Sequence, residues 1–348
     1  MPALLEARED LRLTLFAGGE AYPVLSAECS AAVVRLPVQA RSRVLRVAAE
    51  QSLLPWAVRR AGVDLLHNTL NTAPALPGVP QVTTIHDVIY KRFPETAGRL
   101  NAGVRLLVPL AARRSRRVVT VSHASKEDIV RFLGVPPERV DVVPNGPGLA
   151  QGPDPPSPAE LRQRFDLGDA PVVLTVAAKR PHKNLGRLIE AVGRLETEAM
   201  LVVPGFETQF EAKLEREAGR RVRFLGWVDD HTLDGLYRAA TCFVLPSLAE
   251  GFGLPILEAM ARATVVACSD IRVLHEVAGD AALYFDPFDI GSIAETIRRL
   301  LTDGELRRQL GARAAQQARS FSWSAAAMGT LACYQRAVGT EAYESGYP

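Results

Sequence analysis

The chain has 348 residues, of which 47% are hydrophobic and 23% are charged. This composition is typical of globular proteins and excludes a disordered chain or a disulfide scaffold, while the length predicts two domains. No run of about 18 uncharged apolar residues occurs, and the N-terminal segment carries charges where a signal peptide is apolar. These features predict a cytoplasmic protein.

The distribution of charges and cysteines indicates which ligands and which kinds of site the chain can have. Residues 1–150 contain 19 Lys and Arg against 13 Asp and Glu, and the remainder contains 22 against 26, so the two parts carry +6 and −4. A basic surface facing phosphates or anionic lipid would explain this difference, as would chance. The basic segments lack interleaved aromatic residues, so we expect no nucleic-acid binding. The four cysteines form no Cys-x-x-Cys pair and predict neither a metal site nor a disulfide framework.

The first half alternates short apolar segments with longer stretches, which predicts parallel strands joined by helices. The predicted strands are residues 11–16, 63–66, 81–85, 118–121 and 140–143. His86 and Asp87 follow the third strand and Ser122 follows the fourth, so all three are candidates for a ligand site at the carboxyl edge of a sheet. The alternative for His86 is a structural histidine, and Ser125 with Asp128 predicts a capping box.

Residues 100–117 predict a helix with an apolar face and four arginines at its end. The face is formed by Leu100, Val104, Leu107 and Ala111. Such a helix either rests peripherally on an anionic membrane or packs in the core with a charged end.

Residues 144–158 contain six prolines and three glycines, so they hold neither a helix nor a central strand and predict an interdomain linker. Ser157, Pro158 and Glu160 then predict the capped start of a helix. We therefore expect one domain in residues 1–150 and another in residues 151–320. Residues 321–348 predict a last helix that packs back on the first domain. Its apolar stripe consists of Trp323, Ala327, Leu331, Tyr334 and Val338.

The second half has the same alternation at a more regular spacing. The predicted strands are residues 172–177, 200–203, 222–225, 242–245, 264–268 and 282–285, and helices are predicted at residues 185–195 and 232–240. The sequence thus predicts an α/β protein with two doubly wound Rossmann-like domains facing each other across a cleft. Ligands of such sheets bind at the carboxyl ends of the strands.

Residues 246–261 read PSLAEGFGLPILEAMA and follow a predicted strand. Gly251 and Gly253 allow backbone N–H groups to approach a phosphate where the helix begins. Glu250 and Glu258 flank this turn, and carboxylates accept hydrogen bonds from sugar hydroxyls. The combination predicts a nucleotide-sugar site, while two solvated acids are the alternative for the glutamates alone.

Residues 173–188 read VLTVAAKRPHKNLGRL, a buried strand that leads into basic residues. Lys179, Arg180 and Lys183 stand at the carboxyl end of this strand, and cations there can neutralise a diphosphate. Lys183 is the best placed, because Asn184 beside it predicts a helix N-cap. Basic residues on an exposed turn are the alternative.

Together, PSLAEGFGLPILEAM, PHKNLGRLIEA, TIHD, VVTVSHASKEDI and VVPNG resemble the retaining glycosyltransferases of family 4, which have the GT-B fold. The resemblance covers about residues 4–338. It implies transfer of a hexose of the mannose or glucose type from a nucleotide-diphosphate sugar to a hydroxyl of a glycan or lipid-linked acceptor. It implies no required metal ion or other cofactor.

The resemblance also implies residue roles in donor binding. Lys183 would bind the diphosphate, with Arg180 or Lys179 as the second cation. The implied donor loop consists of Gly251, Phe252, Gly253 and Leu254.

Three further roles follow from the same resemblance. Glu250 would contact the donor sugar, Glu258 would bind the ribose, and His86 would lie beside the sugar from the opposite domain. His86, Lys183 and Glu250 are the catalytic residues that it implies.

The chain departs from the family pattern at several positions. Ala177 stands where glycine is usual, and Ala263 and Val265 stand in a usual Gly-Thr-Pro, so we expect weaker or altered donor binding. The family's first strand and Gly-rich loop, about thirty residues, have no counterpart, which predicts two unpaired sheet edges facing a gap. A non-catalytic sugar-nucleotide-binding or scaffolding protein is therefore the alternative, and an epimerase or phosphorylase is a further one.

Overall fold

The computed structural model describes residues 2–38, 43–94, 101–206, 214–216 and 218–339, without the side chains of residues 43, 101 and 102. The chain forms two compact units. Unit 1 comprises Met1–Val88, Gly98–Pro144 and Trp323–Pro348, and unit 2 comprises Ile89–Ala97 and Asn145–Ser322.

Strands and helices alternate along most of the described chain. The strands are β1 (Thr14–Ala17), β2 (Ala32–Arg35), β3 (Leu66–Asn68), β4 (Gln81–Thr84), β5 (Arg117–Thr120), β6 (Val140–Val142), β7 (Val172–Leu174), β8 (Met200–Pro204), β9 (Val222–Gly226), β10 (Cys242–Leu245), β11 (Val266–Ser269) and β12 (Ala282–Phe285). The helices are α1 (Pro2–Ala7), α2 (Tyr22–Glu28), α3 (Arg43–Ala61), α4 (Ile89–Arg92), α5 (Asn101–Arg114), α6 (His123–Leu133), α7 (Pro158–Phe165), α8 (Leu185–Gly193), α9 (Asp230–Ala239), α10 (Leu254–Met260), α11 (Arg272–Ala278), α12 (Ile290–Thr302), α13 (Gly304–Ala318) and α14 (Trp323–Val338).

Unit 2 contains one parallel sheet of six strands in the order β12-β11-β10-β7-β8-β9. The chain builds outward from β7 to β9, then returns to the other side of β7 and builds outward again from β10 to β12. The topological switch point therefore lies between β7 and β10, where open α/β sheets bind ligands at their carboxyl ends. Val173, Leu201 and Val244 are fully buried because helices cover both faces of such a sheet.

Unit 1 divides its strands between two parallel sheets. One sheet pairs β1 with β2, the other has the order β3-β4-β5-β6, and no ladder joins the two among the described residues. The five strands predicted from sequence in this half are present, with ends that differ by up to three residues. The sequence analysis did not predict β2, a strand of only four residues whose two end residues are exposed.

Helix α14 packs against the four-stranded sheet of unit 1. Its predicted stripe is only partly buried: Ala327 and Leu331 are buried, whereas Trp323 is half exposed. The cluster at this contact combines Val82, Val119 and Val143 with Ala326, Cys333 and Ala337.

The observed helix N-termini test the two capping boxes predicted from the sequence. The Ser157–Glu160 capping box at the start of α7 is confirmed. The box predicted for Ser125 and Asp128 is wrong, because Ser122 is the N-cap of α6 and its side chain accepts a hydrogen bond from the Ser125 N–H. Helix α6 consequently begins three residues earlier than the signal predicted.

Helix α5 covers most of residues 100–117, although Leu100 lies outside the described residues. Val108, Ala111 and Ala112 are almost fully buried, as expected for a helix that packs in the core, while Leu106 is exposed. In the part of the chain that the structure describes, no helix combines the length and apolarity needed to span a membrane.

Candidate functional site

The loops after β7 and β10 meet at the switch point of unit 2. Lys183 ends a short 3-10 helix, Pro181–Lys183, and its Nζ donates a hydrogen bond to Glu250 Oε1 at 2.6 Å. The Ser247 hydroxyl donates to the same oxygen at 2.7 Å. The side chains of Lys183 and Glu250 are 18% and 8% exposed, so this ion pair is largely shielded from water. Two of the residues singled out by separate sequence strings are thus in direct contact.

Asn184 fixes the position of Lys183. It has a left-handed backbone (φ 59°) at the start of α8, and its side-chain Nδ2 donates to Pro246 O at 3.0 Å and Pro287 O at 2.7 Å. The residue occupies the predicted N-cap position, but its side chain does not cap the helix. It instead joins the loops that follow β7, β10 and β12.

The glycine turn is held by packing within unit 2. Gly253 precedes α10 with φ 104°, and a Cβ there would lie 2.9 Å from a side-chain carbon of Leu274. Phe252 is buried and contacts the Phe321 ring, with 5.7 Å between ring centroids. Gly251 is buried and Leu254 is half-buried. Close packing is therefore one reason for a glycine at position 253.

Glu258 lies on α10, and its carboxylate accepts hydrogen bonds from two donors among the described residues. The Tyr237 hydroxyl donates to Oε2 at 2.9 Å, and the backbone N–H of Leu149 also reaches the carboxylate. Burial raises the pKa of Glu258, and these two hydrogen bonds with the nearby Arg262 oppose the shift. The Glu258 side chain is half-buried, so part of its surface remains accessible.

The basic residues after β7 are not equivalent. Arg180 is exposed, which fits both a ligand contact and the alternative of a basic residue on an exposed turn. Lys179 is fully buried, and its Nζ donates to Gly205 O at 2.6 Å and lies 5.9 Å from the centre of the Phe224 ring. The expectation that Lys179 could face a diphosphate is therefore corrected, because its ammonium group is used inside the fold.

The candidates from the first half belong to unit 1. The backbone N–H of His86 donates to Asn71 Oδ1 at 2.8 Å, and its Nε2 lies 3.1 Å from Thr69 O. Asp87 beside it is half-buried. Ser122 is 2% exposed and caps α6, so the hydroxyl serves a structural role.

The departures from the family pattern lie in different places. Ala263 has a left-handed backbone (φ 56°), which explains why glycine is usual there. It lies with Val265 before the amino end of β11, the edge opposite to Lys183 and Glu250, so neither methyl group reaches that site. Ala177 follows β7 at the carboxyl edge, where its carbonyl lies against Gly205.

Sequence reasoning missed several contacts of these residues. Tyr237 precedes Glu258 by 21 positions on another helix, and no motif links the two. Ser247 is three positions from Glu250 and could have been found as a donor within the same loop. Within the described ranges, no group of three or more His, Cys, Asp or Glu side chains is arranged to hold a metal ion.

Comparison with known proteins identifies the family. A sequence model described as Glycosyltransferase Family 4 matches residues 7–151, and one described as Glycosyl transferases group 1 matches residues 158–317. The chain is 34% identical over 270 residues to O-antigen chain mannosyltransferase B of Escherichia coli, which covers 73% of this chain and 70% of that protein. The chain belongs to glycosyltransferase family 4.

One further relative supports this assignment, and a solved structure shows the same fold. MMP alpha-(1->4)-mannosyltransferase of Mycolicibacterium hassiacum is 30% identical over 314 residues, covering 81% of this chain and 72% of that protein. The crystal structure of Anabaena Alr3699/HepE in complex with UDP and glucose has a TM-score of 0.75 at 20% identity, covering 96% of this chain and 95% of that chain. The latter likeness shows the shared fold. Membership of family 4 makes this protein a glycosyltransferase.

Proposed function

We propose that the protein transfers a hexosyl group, of the mannose type, from a nucleotide-diphosphate sugar to a hydroxyl of a growing glycan, glycolipid or surface polysaccharide, with retention of anomeric configuration. Family membership supports the reaction class, and two relatives named as mannosyltransferases support the sugar. The observation that carries the proposal is the contact between Lys183 and Glu250 at the switch point of the unit 2 sheet.

The chemistry of transfer makes two demands on this site. The leaving diphosphate gains negative charge as the glycosidic bond breaks, while the sugar gains oxocarbenium character. In the proposal, Lys183 and Arg180 stabilise the diphosphate. Lys183 has three N–H donors, and among the described residues only Glu250 accepts from one of them, so the others are available to phosphate oxygens.

Glu250 serves the sugar in this proposal. Both of its described hydrogen bonds are accepted by Oε1, from Lys183 and Ser247, so Oε2 is available to a sugar hydroxyl. Glu258 binds the ribose hydroxyls in the same proposal. His86 is the third catalytic residue proposed, and its role rests on the family resemblance.

The proposal is tested with the full chain. UDP-glucose and GDP-mannose are compared for thermal stabilisation, because a ligand that binds only the folded state raises its apparent stability. The stabilising donor is then incubated with a panel of methyl hexosides, and the anomeric configuration of the product is read by NMR. We expect one donor to stabilise the protein and to give a product of unchanged configuration. An inverted product, or the absence of both stabilisation and transfer, would contradict the proposal.

A further inference from the structure

Tyr237 lies beneath Glu258 and is the residue that this inference concerns. Its side chain is fully buried, and its hydroxyl donates to Glu258 Oε2 at 2.9 Å. A glutamate side chain has three rotatable bonds, and ordering it has an entropic cost. A fixed donor below the carboxylate reduces that cost at the moment of ligand binding.

The Tyr237 ring is itself held on several sides. The Phe243 ring lies 5.6 Å away between centroids, and the Arg262 guanidinium lies 5.4 Å from the Tyr237 ring centre. The backbone carbonyl of Tyr237 accepts a hydrogen bond from the Thr264 hydroxyl at 2.8 Å. The position of the Tyr237 hydroxyl is therefore set by packing that does not depend on Glu258.

Arg262 extends this support to the backbone on both sides of the carboxylate. Its side chain is fully buried and pairs with Asp234, which is 1% exposed. Its guanidinium also donates to Glu258 O at 2.8 Å and to Leu149 O at 3.2 Å. The helix that carries Glu258 and the segment that supplies the Leu149 N–H are thus joined by one side chain.

We infer that Tyr237 is a positioning residue for nucleotide recognition: its hydroxyl holds the Glu258 carboxylate in the orientation that accepts the ribose hydroxyls of the donor. The inference rests on the proposed function, in which Glu258 binds the ribose. A carboxylate offers about four acceptor positions. Within the described part of the chain, Tyr237 and Leu149 use two of them, which leaves two for the adjacent hydroxyls of a ribose.

The expected consequence is a smaller difference in affinity between ribonucleotides and 2′-deoxyribonucleotides. Tyr237→Phe removes only the hydroxyl and keeps the ring contacts with Phe243 and Arg262. Calorimetric binding is measured with UDP and GDP and with their 2′-deoxy forms. We expect the variant to bind the ribonucleotide roughly 5- to 10-fold more weakly, the scale of one hydrogen bond, while binding of the 2′-deoxy form, which keeps only one of the two ribose hydroxyls, falls by less. In transfer assays the donor KM rises and kcat is retained.

Gly148→Ala perturbs the same carboxylate from the opposite side. A Cβ on Gly148 would lie 2.8 Å from Glu258 Oε1, so the carboxylate must move although Tyr237 is intact. We expect the same loss of discrimination between ribose and 2′-deoxyribose. The matched control is Tyr284→Phe, which also removes one hydroxyl from unit 2, that of Tyr284 bonded to Gly279 O at 2.6 Å. This control should leave both affinities unchanged.

The outcomes separate this inference from the proposed function. If Glu258→Gln loses discrimination but Tyr237→Phe and Gly148→Ala keep it, the positioning role is overturned and the role of Glu258 stands. If Tyr237→Phe weakens the ribose and deoxyribose forms equally, its hydroxyl is merely structural and the inference fails. If the wild type and Glu258→Gln both bind the two forms equally, the assignment of Glu258 to ribose fails first.

Discussion

The contact between Lys183 and Glu250 joins two charges that are both mostly removed from water. A charge left without its partner in such a place is costly, whereas the intact pair contributes little by itself. The pair is therefore a weak source of stability, and in the proposed function it is a preorganised site. Ser247 adds a second donor to Glu250, so the orientation of the carboxylate does not depend on Lys183 alone.

Lys183→Ala should nearly abolish transfer. The substitution removes a preorganised cation from the leaving diphosphate and leaves Glu250 to repel it, so kcat/KM should fall by about 100- to 1000-fold. Initial rates with the donor identified by thermal stabilisation measure this, and Lys126→Ala on α6 is the control of equal charge change. A variant that kept more than about a third of the wild-type kcat/KM would remove Lys183 from the diphosphate site.

The residues of the candidate site could be predicted from the sequence only where they stand together in one short loop that follows a predicted strand. Lys183, Glu250 and Glu258 stand in compact strings next to predicted strands, so their edge of the sheet could be inferred. The burial of Lys179 could not be predicted, because its partner Gly205 lies 26 positions away, just after the next strand, β8. The role of Tyr237 could not be predicted either, because its contact with Glu258 depends on how two helices pack.

At the scale of elements, the loops after β7, β10 and β12 are joined through Asn184. Its two donated hydrogen bonds satisfy the carbonyls of Pro246 and Pro287, both in segments without regular structure. A buried carbonyl without a donor is costly, so a single amide stabilises the carboxyl edge where Lys183 lies.

Asn184→Gly should destabilise unit 2. Glycine keeps the left-handed backbone but loses both hydrogen bonds, which costs about 1 to 3 kcal/mol, and Asn184→Ala should cost about 1 kcal/mol more because of its Cβ. Urea unfolding measures both variants. Asp166→Gly is the matched control, since Asp166 is also left-handed (φ 51°) but exposed, and it should change the free energy of unfolding little. Equal effects at positions 184 and 166 would show that the two bonds contribute nothing.

The sequence predicted where strands lie better than it predicted the residues at which they begin and end. Alternating apolar runs located eleven of the twelve described strands correctly in type, because buried parallel strands are apolar throughout. β10 and β12 match their predicted residues completely, whereas the predicted strand at residues 172–177 is observed only as Val172–Leu174. Its last residues leave the ladder to reach the loop that carries Lys183, and a hydrophobicity pattern does not record that departure.

At the scale of the whole molecule, the last helix belongs to the unit formed by the first residues. Arg336 pairs with Asp141 at 2.8 Å, and Arg116 donates to Ala337 O at 3.0 Å. The Tyr334 hydroxyl lies 2.6 Å from Nδ1 of His67, a contact between residues 267 positions apart. An amphipathic stripe predicted that the helix docks, but such distant partners are fixed only by the folded chain.

Acid should weaken unit 1 through His67. Its ring nitrogens contact Tyr334 and Thr84, and burial, aided by the charge of His86, lowers its pKa from 6.5 to about 4. Between these values the unfolded chain binds a proton that the folded chain does not, so the free energy of unfolding falls as the pH decreases from about 6.5 towards 4. From about pH 7.5 to 4.5 the loss should be about 2 to 3 kcal/mol.

His67→Gln isolates this effect, because glutamine cannot be protonated in that range. Urea unfolding of both proteins at several pH values gives the stability difference between them, in which all other titrating groups cancel. The free energy of unfolding of the wild type relative to His67→Gln should fall by most of the roughly 2 to 3 kcal/mol between about pH 7.5 and about pH 4.5. Only the wild type has a buried group at this position whose protonation is favoured by unfolding. A difference that did not vary with pH would mean that the folded protein accepts the proton at His67 as readily as the unfolded chain does.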